Sequence, residues 1–136
     1  MKSIDLDNLV NRIDNFVERA EIWQLLFDEC PLSVAVFDKS YKFYMINNSF
    51  TDSTGFSNKD IIGKDIRNVI PIKFRSMHKT KQKEFTKNPE KKVNRHGLNP
   101  SILTKGGKQI PIDIDISFLE YNNKIYYVAF FKCLNT

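Results

Sequence analysis

Asp113 and Asp115, His78 and His96, and Cys30 and Cys133 are the side chains whose types and spacing raise the question of chemistry in this 136-residue chain. Two carboxylates can divide acid and base work, as in glycoside hydrolysis, when a pocket separates them. Asp113 and Asp115 stand two apart in "QIPIDIDISF", so on a strand they share one face, and a solvated strand face is the simpler account. Cys30 and Cys133 lack CxxC or metal-ligand spacing and are read as buried, reduced thiols. The stretch "KGGK", Lys105 to Lys108, has neither the strand–loop–helix context nor the GK[S/T] ending of a phosphate loop, which leaves a hairpin turn. His96, in "NRHGL", is a loop or strand-start residue. His78, in "FRSMHKTKQKEF", is a helical histidine, a type more often packed or partly exposed than a ligand. No nucleophile elbow and no zinc-type spacing occurs, and a non-enzymatic protein is expected.

Hydrophobic content of 41%, with 11 Phe, 5 Tyr and 1 Trp, is ample for one core, and the length suits one domain without disulfide staples. The longest apolar runs, such as "YYVAFF" from Tyr126 to Phe131, fall far short of the ~20 residues that span a bilayer. The acidic start "MKSIDLDNLV" is no secretory signal, so a cytoplasmic protein with no membrane partner is expected. The formal charge of +5 is unevenly spread: residues 1–30 carry three basic and seven acidic side chains, residues 73–108 eleven basic and two acidic. Lys73, Arg75, Lys79, Lys81, Lys83, Lys87, Lys91, Lys92 and Arg95 make the basic block. Its aromatics, Phe74 and Phe85, fit the buried face, so a solvated helix face or docking to an acidic helix of another subunit is preferred to nucleic-acid binding.

Several elements must hold these residues. Leu6, Leu9, Ile13, Phe16, Ala20, Trp23 and Phe27 recur at alternating spacings of three and four, a heptad seam that Val10 and Val17 widen. Ser3 is the expected cap, Asp5 and Asp7 suit the positive end of the helix dipole, and Pro31 marks the end. A helix of about 24 residues, ~36 Å long, is more than one side of a small domain covers. The seam from Leu6 to Trp23 is therefore expected to pair in a homodimer, with a helix lying on its own domain as the alternative.

"LSVAVFD" and "KFYMIN" predict two strands joined by "KSY". Asn48 or Ser49 is expected to cap the helical "SFTDSTG" that Gly55 ends, and Ser57 with Asp60 opens the next turn, closed by Gly63. The pattern Phe74, Met77, His78, Lys81, Phe85 predicts a longer helix from Lys73 to Lys87. The alternation of Ile110, Ile112, Ile114, Ile116 and Phe118 predicts a strand with one wet face, and "IYYVAFFKC" one apolar on both. Two apolar faces need two covers, and residues 20–28 of the first helix are the expected cover over Tyr126, Val128 and Phe130, or over the alternate face of that strand. With residues 93–104 as a further strand, the fold class predicted is α+β: a five-stranded antiparallel sheet, short helices on one face and an N-terminal amphipathic cap helix. The helix would occupy 1–26 and the domain 27–136.

This order resembles the PAS sensor-domain family. The matching pieces are the Asp38 turn, "INNSF" at the strand-to-helix junction, "TGFS", "DIIGKDI", "KGGKQIPIDIDIS" and the closing "AFFKC", together covering residues 27–134. The resemblance implies a sensory module that binds a small molecule in an interior pocket, mediates homodimerisation, or both, to regulate a partner or output domain. Pocket-lining residues implied on this layout are Met45, Phe50, Phe56, Ile62, Ile66 and Phe74, with Met77, His78, Ile114, Ile116 and Ala129. The light-sensing branch attaches flavin through a cysteine in the helix that here reads "GKDIRNVI"; no cysteine lies between Cys30 and Cys133, which excludes covalent-adduct flavin photochemistry and leaves noncovalent flavin open. The haem-sensing branch uses a histidine at the position of His78, but its downstream basic residues fall here on Glu84 and Leu98. Two alternatives thus stand beside the ligand sensor: a ligand-free protein-interaction module, and a haem-based gas or redox sensor through His78.

Overall fold

The computed structural model describes residues 5–76, 79–80, 83, 87, 92–94 and 100–134. Helix α1 runs Leu6–Glu29 and begins where the extended Asp5 accepts a hydrogen bond from Asn8 N at 3.1 Å. Asp5 thus caps the helix, and Ser3, the expected cap, lies outside the described residues. Cys30 closes α1, and Pro31 follows, which cannot continue a helix.

Strands β1 (Ser33–Phe37) and β2 (Phe43–Ile46) form the first hairpin. Strands β3 (Lys92–Asn94), β4 (Ser101–Leu103), β5 (Gln109–Tyr121) and β6 (Lys124–Cys133) complete an antiparallel sheet in the order β2-β1-β6-β5-β3, with β4 also on β5. Residues 93–104, expected as one strand, therefore meet β5 in two short pieces: Lys92–Asn94 opposite residues 115–117, and Ser101–Leu103 opposite 109–111.

Between β2 and β3 the chain folds into a helical cap. Helix α2 (Asn48–Thr54) starts at Asn47, whose side chain accepts from Phe50 N; the cap is this residue, not Asn48 or Ser49, because the strand ends there in an extended conformation with an acceptor in reach of the first turn. Gly55, at φ 80°, ends α2 in the left-handed conformation that glycine adopts without a Cβ clash. Helix α3 (Asn58–Ile61) opens with the Ser57/Asp60 capping box, and 3₁₀ turns follow at Ile66–Val69 and Ile72–Phe74. Residues 75, 76, 79, 80, 83 and 87 are helical.

The cap is fastened at two sides. Phe43 N donates to Lys64 O and Gly63 N to Phe43 O, each at 2.8 Å, which covers the free edge of β2. At the other side the β4–β5 turn donates Lys105 N to Thr54 O (2.9 Å), and Lys105 Nζ meets Asp60 Oδ2 (2.9 Å). The "KGGK" stretch is this turn. The core lies between cap and sheet, where Ala35, Phe37, Phe43, Ile46, Phe50, Ile61 and Val69 pack with Ile102, Ile112, Tyr127, Ala129 and Phe131.

The expected cover of the outer sheet face by α1 is not what the chain forms. Residues 20–26 are all exposed, Phe27 and Asp28 are half-buried, and no residue of α1 is buried. The helix contacts α2, and its last turn is bonded to the β2–α2 junction, so it starts from the cap side of the domain. Its seam stands open along its length, with Phe16 74% and Trp23 70% exposed.

Candidate functional site

A cavity of about 80 Å³ lies between the sheet and the helical cap. Its origin is a pair of small side chains. On the core face of the sheet, register places Ala35 beside Ala129 and Ala129 beside Ile116. The row to one side holds Phe37, Tyr127 and Phe118; the row to the other holds Ser33, Phe131 and Ile114. Two methyl groups between the ring row and Phe131 leave a depression that neighbours in staggered rotamers do not fill.

The cap closes over this depression. Phe50 enters from α2, with its ring edge-on to Phe131 at 5.8 Å, and Ile66, Val69 and Ile70 come from the first 3₁₀ turn. Ile102 and Ser101 of β4, Ile112, Ile114 and Ile116 of β5, and the Tyr41 ring complete the wall. Tyr41 stacks on Tyr127 with ring centroids 4.5 Å apart and planes within 4°. No lining residue among those described carries a formal charge at neutral pH.

Of the sequence-predicted lining residues, Phe50, Ile66, Ile114, Ile116 and Ala129 meet around this cavity. Met45, Phe56, Ile62 and Phe74 do not line it: Met45 pairs with Val36, following the bulge that sets Tyr44 outward, and Ile62 is exposed at the end of α3. Met77 and His78 lie outside the described residues. Ala35 and Phe37 were readable as one face of "SVAVF" by alternation, but their place beside Ala129 depends on the β1–β6 register. Nothing in the sequence pointed to Tyr41, whose ring position follows from the loop geometry. Asp113 and Asp115 stand on the opposite face of β5, away from the cavity, as the alternation predicted. Cys30 and Cys133 are free thiols, half-buried rather than buried.

The side chain of Asn47 joins the cavity wall to α1. Asn47, 2% exposed, accepts at Oδ1 from Val34 N (2.9 Å) and Phe50 N (3.0 Å), and donates from Nδ2 to Phe27 O and Leu32 O, both at 3.0 Å. Phe27 O belongs to the last turn of α1, where carbonyls lack helical partners. Ser49 Oγ donates to Cys30 O at 2.6 Å beside it. The end of α1, the start of β1 and the residue whose ring lines the cavity thus share one amide. Among the described residues no group of side chains is arranged to hold a metal ion, and no helix is long and apolar enough to cross a membrane.

No protein-family model matches this chain, and no curated protein sequence does. Its structure matches solved PAS domains. The PAS domain of an HTR-like protein from Haloarcula marismortui superposes with a TM-score of 0.75 at 14% identity, over 91% of this chain and 98% of that one. A PAS domain from a two-component sensor histidine kinase gives a TM-score of 0.70 at 10% identity, over 85% and 96%. The PAS-B domain of Cycle from Drosophila melanogaster, with bound ethylene glycol, gives 0.64 at 17% identity, over 75% and 99%. The chain has the PAS fold, an α+β architecture with an N-terminal helix.

Proposed function

We propose that this PAS-fold chain is a sensory module in which a small molecule held in the cavity changes how α1 pairs with a second copy, and so regulates a partner or output domain. The observation that carries the reading is the Asn47 amide, which bonds both Phe50 N and the last turn of α1. A ligand that displaces the Phe50 ring acts on the same side chain that fixes the exit of α1. No catalytic step is part of the proposal. The likeness to a PAS domain of a sensor histidine kinase supports a signalling role at the level of fold.

A ligand-free interaction module is the second reading, favoured by the exposed seam of α1, which needs a partner whether or not the cavity is occupied. His78, on which the haem reading rests, lies outside the described residues. Native mass spectrometry of the freshly purified chain separates the first two. A dimer that carries an extra mass supports the ligand sensor, and a bare dimer that accepts no added small molecule supports the interaction module. A bare monomer at all concentrations overturns pairing through α1.

A further inference from the structure

We propose that the cavity selects a neutral, predominantly apolar ligand of about the size of a short-chain alcohol, and that Tyr41 sets the size limit. The proposal rests on the cavity being a ligand site. It adds the chemical class and the residue that determines it.

The class follows from the wall. Ala35, Ala129 and three isoleucines of β5 offer only hydrocarbon, and no described lining residue offers a countercharge. A carboxylate or phosphate moved there would lose its hydration without a partner, so charged ligands are rejected. Ser101 stands opposite Pro111 and accepts from Gln109 Nε2 at 2.8 Å, on the face of β5 that turns away from the cavity, so its hydroxyl adds no polar contact to the wall. Size follows from the volume: a dry cavity of ~150 Å³ accepts benzene, and this one, at about 80 Å³, is smaller.

Tyr41 has φ 60°, a conformation that bulky side chains rarely adopt. The loop enforces it. Asp38 Oδ1 accepts from Ser40 N (2.8 Å) and Lys42 N (3.1 Å), Tyr41 N donates to Asp38 O (2.9 Å), and Ile66 N donates to Tyr41 O (2.9 Å). The outcome is a ring laid flat on Tyr127 at the cavity wall. A glycine would suit this backbone better, so the aromatic ring is what the position supplies.

The test is an amide NMR titration of the full chain with 1-butanol, butyrate and phenol. The expected result is a saturable shift at Ala35, Ser101 and Ala129 with 1-butanol, and binding of butyrate at least ~100-fold weaker. Phenol is expected to bind the Tyr41→Gly variant at least ~10-fold more tightly than the parent, since its backbone fits φ 60° and its wall is open. Ala129→Leu, or the milder Ala129→Val, is expected to remove the butanol response while the spectrum stays dispersed. Saturable binding of butyrate in place of 1-butanol overturns the neutral class and leaves the ligand-site reading intact. Equal phenol affinity in the parent and in Tyr41→Gly overturns the role of Tyr41. No saturable shift with any probe overturns the proposal and the ligand-site reading together.

Discussion

At the residue scale Asn47 carries the most consequence. Its amide has two donors and two acceptor lone pairs, and four backbone partners are matched to them in a buried position. Asn47→Ala strands two amides and two carbonyls and is expected to cost about 3 kcal/mol, measured as a lower urea midpoint with an unchanged slope. A loss under ~0.5 kcal/mol would show that water replaces the amide. Asp60 offers a second residue-scale test. Its carboxylate accepts from Ser57 N at 2.9 Å, and with Lys105 Nζ beside it the pKa falls from the ordinary 3.8 to about 2. Because the folded value is depressed, the contribution to stability is complete above pH 3.8 and is lost as pH falls through about 2. Carboxyl NMR is expected to find the Asp60 midpoint near 2 and to find it raised in Lys105→Ala; a midpoint at the ordinary value would mean that the capping box is not formed in solution. The sequence showed Asp60 as half of a capping box and placed the α2 cap one or two residues past Asn47. It did not show Phe27 or Lys105 as their partners, because those contacts span 20 and 45 residues and follow from the tertiary path.

At the scale of elements, α1 is an amphipathic helix in its first half and apolar on more than one face in its second, where Ile22, Leu25 and Leu26 are exposed along with Trp23. A helix apolar all round is normally buried, and a lone helix of this kind is poorly stable in water. Pairing with a second copy would bury the seam, each side chain contributing roughly 1.5–3 kcal/mol when fully covered. Ile13→Asp is therefore expected to weaken self-association at least ~10-fold, about 1.4 kcal/mol, by sedimentation. Trp23, 70% exposed in the single chain, is expected to shift its emission to the blue as protein concentration rises. Emission independent of concentration, with no change in sedimentation for Ile13→Asp, would leave the seam without a second copy as partner. The heptad was legible because helical periodicity is local. Whether the helix lies on its own sheet was not, since it depends on where Asn47 and Ser49 pin the last turn, and periodicity is silent on that.

At the scale of the whole molecule, the sequence made the architecture readable through its two periods, the alternation in β5 and the turn residues that bound the short helices. The cavity was only half readable: an alanine within an apolar strand is unremarkable until register sets it beside another, as Ala35 stands beside Ala129. Its link to α1 makes one further property obligatory. If cavity occupancy alters α1 pairing, pairing must alter ligand affinity, because the two binding equilibria share one coupling free energy. The affinity for 1-butanol is thus expected to differ between protein concentrations well below and well above the dimer dissociation constant, by ~5-fold or more for a coupling of about 1 kcal/mol. Asn47→Ala is expected to abolish that difference even where it leaves both dimer and cavity in place, since the shared amide is gone. A ligand affinity that is the same in monomer and dimer would mean that the cavity and the helix are two independent features of one fold. A difference that survives in Asn47→Ala would send the coupling through the β1–β6 pairing instead, where Ala35 stands opposite Ala129.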